Sequence, residues 1–519
     1  MSLSLADIIS LSIYFFIILG IGLYFSKKNT NTEEYFVGGR SFSGWVIGLS
    51  LVGTSISSIT FLAYPADAYK TAWLRYLPNL MLPLAIFVAA YVFLPFFRRG
   101  NTITAYEYLE NRFGPSIRVY GAVTFIIGQL VRISLILYLL SLLIQELTGL
   151  SAEMSIIVSG VFVAFYTIIG GIDAVIWTDV LQTIVLMIGG LICLFIIINA
   201  LPGGFDQIIS VATEHGKLAF AELNSQGQLE PVKWSLSLQD KTGSMLLLLG
   251  LTAWLTEYSG NQNTVQRFCA SKSDHEARKA MFVCAISSLP IWAFYMFLGT
   301  ALYVFFQVFP TETASQILSG ELKAERILPY FINHYLPAGV AGIVIAAALS
   351  AAMSSLDSSI NAISTVSIVD IYKRFGKVDK GDKHYLLVAK LIAVIVSIFM
   401  IIGAFLLIHA ETKTLQDTAT ILVSIISGGV LGVYCLGFFT NLGDARSIWV
   451  GLIVTALFTA WTVLSKKGVL ADEWVLPFDL YYTAIIGNLL MFLCGFFVSL
   501  FIYKRTSLVG EFSIWGRKN

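Results

Sequence analysis

The chain is a succession of long apolar runs. Thirteen approach the ~20 residues that a helix needs to cross a bilayer's hydrocarbon. Their approximate limits are 7–26, 45–66, 76–97, 119–147, 155–171, 174–201, 243–262, 279–307, 338–372, 386–410, 416–440, 445–465 and 480–503. The runs are continuous, whereas a membrane β-barrel requires alternation. Only 13% of the residues are charged, about half of the ~25% in soluble domains. So few charges could not cover a soluble protein of 519 residues. Disorder and coiled coil fail on the same figures. The expected fold is an all-α polytopic membrane protein. The first run is followed by Lys27-Lys28 without a small-residue cleavage site, as in an anchor.

Net charge is +1, which argues against a nucleic-acid partner. Lys and Arg gather in alternate loops. By the positive-inside rule this puts the N-terminus outside and the C-terminus in the cytoplasm. The longest polar insert, 202–242, then lies outside and reads as a surface loop with a little helix. The five cysteines form no CxxC pair and read as ordinary thiols. No HExxH, Walker A or nucleophile elbow is present, so an enzyme is not expected.

Two runs have polar centres. The second reads Gly53-Thr54-Ser55-Ile56-Ser57-Ser58-Ile59-Thr60, and the seventh contains Glu257-Tyr258-Ser259-Gly260-Asn261. Secondary transporters place such interrupted helices at matching points of two inverted repeats. The two are five spans apart. Spans 2–6 and 7–11 would then be repeats, inverted because five is odd. Small residues packing helices closely are the plainer alternative.

Charges at membrane depth are costly and usually functional. Four stand out: Arg132, Asp179, Glu257 and Asp357. Ala351, Ser354, Ser355 and Ser358 recur at helical spacing and form one narrow polar stripe. Hydroxyls from such a stripe, with carbonyls freed by a broken helix, suit a hard cation such as sodium. A serine stripe is also a common packing face. Asp179 suits a second ion, a proton relay or a helix brace. Arg132 suits a substrate carboxylate, or a permanent ion pair with Glu257 or Asp357.

Several motifs at consistent spacing make the chain similar to the sodium:solute symporter family. They are Tyr35–Arg40, the Ser50–Thr60 break, Thr104–Glu110, Gly170–Gln182, Val265-Gln266-Arg267 and the Ser354–Asn361 stripe. Within the family the chain resembles bacterial sialic acid symporters at Ser57–Phe61, Tyr64–Tyr69, the Arg132 segment and Ala352–Asn361. The resemblance implies a LeuT-type five-plus-five inverted repeat. It would comprise a peripheral helix (7–26), a first repeat (45–201), an extracellular loop (202–242), a second repeat (243–440), peripheral helices (445–503) and a cytoplasmic tail (504–519). It implies a main sodium site at Gly53, Ile56, Ala351, Ser354 and Ser355. A second sodium site would use Asp179 and Ser358, with Asp357 at a position where that branch has serine. Substrate positions fall on Ser55, Ser57, Thr60, Asn79 and Arg132, and Glu257 lies at the gate. Ser55 and Asn79 differ in type from their counterparts, and Arg75 is an additional cation.

The expectation is a sodium-coupled importer of a small acidic sugar, such as sialic acid or a uronate. It would work by alternating access in the plasma (inner) membrane, with sodium, solute and lipid as its partners and no obligate protein partner. The alternatives are a neutral sugar, a monocarboxylate or an amino acid such as proline, and from other classes a channel, a membrane sensor or a membrane enzyme.

Overall fold

A computed structural model describes residues 4–26, 31–98, 102–224, 226–376, 380–408, 428–466, 470–503 and 512–516. Among these, nine helices are long and apolar enough to span a membrane, and one bent pair makes a tenth span. The expected basic pair Lys27-Lys28, most of the tail 504–519 and the first part of the eleventh run, 416–427, lie outside the described residues.

Helix α1 (Leu5–Ser26) leads to the bent pair: α2 (Gly44–Ser55), a wide π turn at Ile59–Ala63, and α3 (Tyr64–Lys70). The axis turns by 59° across the break. The cause is local. Helix α2 stops where Ile56 turns extended (φ −99°, ψ 113°), and Thr60 N–H restarts the helix on Ser57 O at 2.9 Å. The third span, α4 (Trp73–Phe97), begins three residues earlier than its apolar run, in a tight 3-10 stretch. Short α5 (Ala105–Phe113) and long α6 (Pro115–Thr148) follow.

The fifth and sixth runs form one hydrogen-bonded helix, α7 (Ala152–Ala200), of 49 residues. Its contour length is ~73 Å at 1.5 Å per residue, more than twice a ~30 Å hydrocarbon core. It is divided at Gly171, whose φ of 61° and ψ of −166° no other residue adopts readily. The insert 202–242 holds α8 (Gly204–Glu214) and a hairpin, β1 (Ala221–Leu223) against β2 (Leu229–Pro231), in the register Glu222↔Glu230. Three-residue strands give no alternating run to read, so the sequence suggested only loop and helix.

The second interrupted element is α9 (Gly243–Gly260), extended Asn261, and α10 (Gln262–Ala270). Then come α11 (Asp274–Val308), α12 (Ile327–Tyr335), α13 (Val340–Phe375), α14 (Asp382–Ile408), α15 (Val430–Phe439), α16 (Ala445–Lys466) and α17 (Tyr482–Phe497). Helix α13 is the core. Every residue from Val344 to Val366 is buried, mostly against α7, α6, α1 and α14. Helices α16 and α17 pack on one another at the edge. Beyond the end of α10, Phe42 N–H donates to Ala270 O at 3.3 Å and Lys272 N–H to Phe42 O at 3.0 Å. The segment leading into α2 is thereby tied to the segment leaving α10.

Candidate functional site

The break in α2–α3 and the serine face of α13 meet. Ser354 Oγ donates to Gly53 O at 2.9 Å and Ser355 Oγ to Thr54 O at 3.4 Å. Ser354 Oγ also lies 3.4 Å from Ala351 O. Ile56 O is released from the helical ladder by the extended Ile56 backbone. Glycine is required at position 53. A Cβ there would stand 2.8 Å from Thr183 Oγ1 and 3.1 Å from Asp179 O, on the wall that α7 supplies. Carbonyl and hydroxyl oxygens therefore converge from two elements, as a hard cation demands.

Helix α6 runs beside the break. Arg132 Nη2 donates to Thr54 O at 3.4 Å, and four residues on, Ile136 O accepts from Ser58 Oγ at 3.5 Å. Among the described residues no carboxylate lies within ion-pair distance of Arg132. Both acids that could have neutralised it are engaged elsewhere. Glu257 accepts from Asn261 Nδ2 at 2.6 Å and Thr264 Oγ1 at 2.8 Å, which brackets the second break. Asp357 accepts from Tyr166 OH at 2.9 Å and from Ser358 N–H at 2.6 Å.

Of the other expected substrate residues, Ser55, Ser57 and Thr60 belong to the break itself. Ser55 is the last residue of α2, Ser57 Oγ accepts from Ile59 N–H at 3.2 Å, and Thr60 is buried. Asn79 is buried on α4, where its Nδ2 donates to Tyr64 OH at 2.6 Å. Arg75 is held in an ion pair by Asp67.

A second cluster lies deeper between α2, α7, α10 and α13, around Arg267. Its Nη2 donates to Asp179 Oδ2 and Ser358 Oγ, both at 2.7 Å. Its Nε reaches Ser50 Oγ at 2.8 Å and its Nη1 reaches Asn263 O at 2.8 Å. Arg267 is 1% exposed. It lies on α10, which is buried along its whole length. Asp179 Oδ1 has no hydrogen-bond partner among the described residues, nor does either polar atom of Gln182, one turn on. Thr178 Oγ1 points at Asp357 Oδ2 across 3.5 Å, so both acids belong to one junction. Two buried carboxylates thus face one guanidinium. Sequence reasoning also missed Gln129, which accepts from Ser359 Oγ at 3.1 Å, and Asn263, whose Nδ2 reaches Ser359 Oγ at 3.4 Å. The available signals were an amide one turn before Arg132 in the fourth run, and another just past the polar interruption of the seventh.

Two broken helices, an oxygen-lined junction and a guanidinium without a carboxylate partner among the described residues, in a multi-span helical bundle, are the features of an ion-coupled secondary carrier. The sequence model of the sodium:solute symporter family matches residues 35–455, and the chain belongs to that family. It is 30% identical over 488 residues to the sodium/sialic acid symporter SiaT of Proteus mirabilis (strain HI4320), covering 93% of this chain and 92% of that one. The structure of a Na+-coupled sialic acid symporter in its substrate-bound outward-open state superposes with TM-score 0.82 at 28% identity, over 96% of this chain and 98% of that one. A nucleobase-cation-symport-1 family transporter in a closed conformation, at 14% identity and TM-score 0.56 over 90% and 94%, shares the fold alone. The fold is of the LeuT type. The chain is a sodium-coupled symporter and not an enzyme, a multi-pass protein of the cell membrane, the inner membrane in a bacterium.

Proposed function

We propose that the chain imports an acidic sugar, sialic acid or a close relative, together with sodium. The observation that carries this reading is the guanidinium of Arg132, at the break and without a carboxylate partner among the described residues. Such a group binds a carboxylate bidentately and keeps its charge at any working pH. Ser55, Ser57, Thr60 and Asn79 supply hydroxyl and amide groups for a polyol. The likeness to sialic acid symporters over nearly the whole chain supports the same substrate class.

Sodium occupies Gly53, Ile56, Ala351, Ser354 and Ser355, displacing the Ser354–Gly53 hydrogen bond and joining the broken helix to α13. A second cation takes the junction of Asp179, Asp357 and Ser358, where two carboxylates exceed one guanidinium by one negative charge. Glu257 keeps the second break in shape as part of the gate. Coupling follows if sodium binds one state of the bundle more tightly than the other.

Helix α7 counts twice, the α9–α10 element once, and the run around 416–440 once, which gives thirteen spans. The N-terminus is outside and the C-terminus inside, with repeats at 45–201 and 243–440 flanked by 7–26, 202–242, 445–503 and the tail 504–519. Uptake into sealed proteoliposomes tests the reading. Sialic acid, uronates, neutral hexoses, monocarboxylates and proline would be compared with and without a sodium gradient. Sodium-dependent accumulation of an acidic sugar is expected. Preference for a neutral hexose or proline would remove Arg132 from its role.

A further inference from the structure

On the membrane face that carries the 202–242 insert, Trp234, Leu236 and Leu238 are 59%, 82% and 54% exposed. Removing apolar side chains from water is favourable, and this segment exposes three within five residues. The segment is not loose. Ser237 O accepts from Tyr482 OH at 2.8 Å, Leu238 O from Asp479 N–H at 2.8 Å, and Ser237 Oγ from Asp240 N–H at 3.2 Å. The Trp234 ring lies over Gly243 at the start of α9, about where a Cβ would be. The segment that carries three exposed apolar side chains is therefore tied to the start of α17.

What covers them is indicated by the surface they adjoin. Leu489 lies seven residues along α17 from Tyr482, on the same helical face, and is 54% exposed. Leu493, one turn further, is 36% exposed. This is a lipid-facing strip. Trp474 and Val475, just before α17, are 64% and 40% exposed, and Trp461 Nε1 fixes Trp474 O at 2.7 Å. Tryptophan concentrates where a bilayer meets water, because its ring is apolar and its N–H polar. Exposed Lys233 and Asp240 flank the segment and remain in water.

We propose that residues 234–238 form an interfacial anchor, seated with Trp474 among the lipid headgroups and upper acyl chains. It extends the lipid-facing surface of α17 sideways and pins the insert to the bilayer. This is independent of the substrate and does not rest on the proposed function.

The test is a solvatochromic fluorophore on Leu236→Cys in full-length protein. The protein is reconstituted into phosphatidylethanolamine–phosphatidylglycerol vesicles, with the labelled parent as background. Blue-shifted emission, lost when lipids carry a doxyl group high on the acyl chain and kept in aqueous iodide, is expected. Emission at the water-exposed wavelength, quenched by iodide but not by doxyl lipid, would overturn the anchor. Shielding from both quenchers would overturn it as well, since a second copy or another protein would then cover the segment.

Discussion

Individual side chains carry most of the chemistry, and Arg132 and Arg267 divide it between them. Arg132 bonds one carbonyl and faces the break, whereas every arm of Arg267 is committed to the cluster that includes Asp179. Arg132→Lys keeps the charge and loses the planar fork. Apparent affinity for the acidic sugar should fall about 10- to 100-fold, as the loss of ~1.5–3 kcal/mol of charged hydrogen bonding implies. Sodium activation should be unchanged. A parallel loss of sodium affinity, measured in the same uptake assay, would make Arg132 a structural brace. Arg267→Met strands a buried carboxylate and should destabilise by about 3–5 kcal/mol. Arg267→Met with Asp179→Leu should recover part of that, because the paired carboxylate leaves with its partner while Asp357 keeps its hydrogen bond from Tyr166. Thermal unfolding in detergent separates the two, and a single variant as stable as the parent would refute the account. The four charges at depth were legible in the sequence, because a charge inside an apolar run is costly. Arg267 was not. Its helix is short and polar, and nothing local distinguishes a buried polar helix from a loop.

Elements explain why the site is built where it is. The first break was readable from its run of Gly, Ser and Thr, and the second from Gly260-Asn261. The apolar runs end at 171 and resume at 174, next to the kink at Gly171, but hydrogen bonding continues across it, which no apolar window reveals. Gly171→Ala should cost about 1–3 kcal/mol, because its φ and ψ belong to a region essentially reserved for glycine. Calorimetry of the purified variant reads this directly, and an unchanged transition would mean that the helix relaxes around it.

The α3 half of the broken helix has its own clamp. Lys217 in the 202–242 insert is 3% exposed and donates to Tyr69 O at 2.7 Å and Thr71 O at 2.8 Å, over the Tyr303 ring. Burial pushes its ammonium down to about 7. An unfolded lysine titrates near ~10.4. Between those values the unfolded chain binds more protons than the folded one, so this group makes stability rise with pH across that window. Lys217→Met should flatten that slope in melting curves. An identical slope in parent and variant would exclude Lys217 as its source. Nothing in the sequence distinguished this lysine from its solvated neighbours, since its burial depends on α3 and α11 closing over it.

At the scale of the whole molecule, the charge count of the deep junction sets what the membrane potential can do. Asp179 pairs with Arg267, Asp357 reaches the same guanidinium only through Ser358, and Asp179 Oδ1 is without a partner among the described residues. With a cation there and sodium at the Ser354–Gly53 junction, each cycle moves two positive charges with one anionic sugar. One net charge then crosses, and a potential of ~100 mV contributes ~2.3 kcal/mol, about a 50-fold gain in accumulation. Sodium uptake with an acidic sugar should therefore carry current. It should also accelerate when valinomycin and a potassium gradient make the vesicle interior negative. Asp357→Asn removes the excess negative charge and with it the second cation. Its transport should persist, become electroneutral and lose its response to valinomycin. If the parent is itself indifferent to potential, the junction holds no transported cation, and Asp357 serves only to bind Tyr166 and brace α7 against α13.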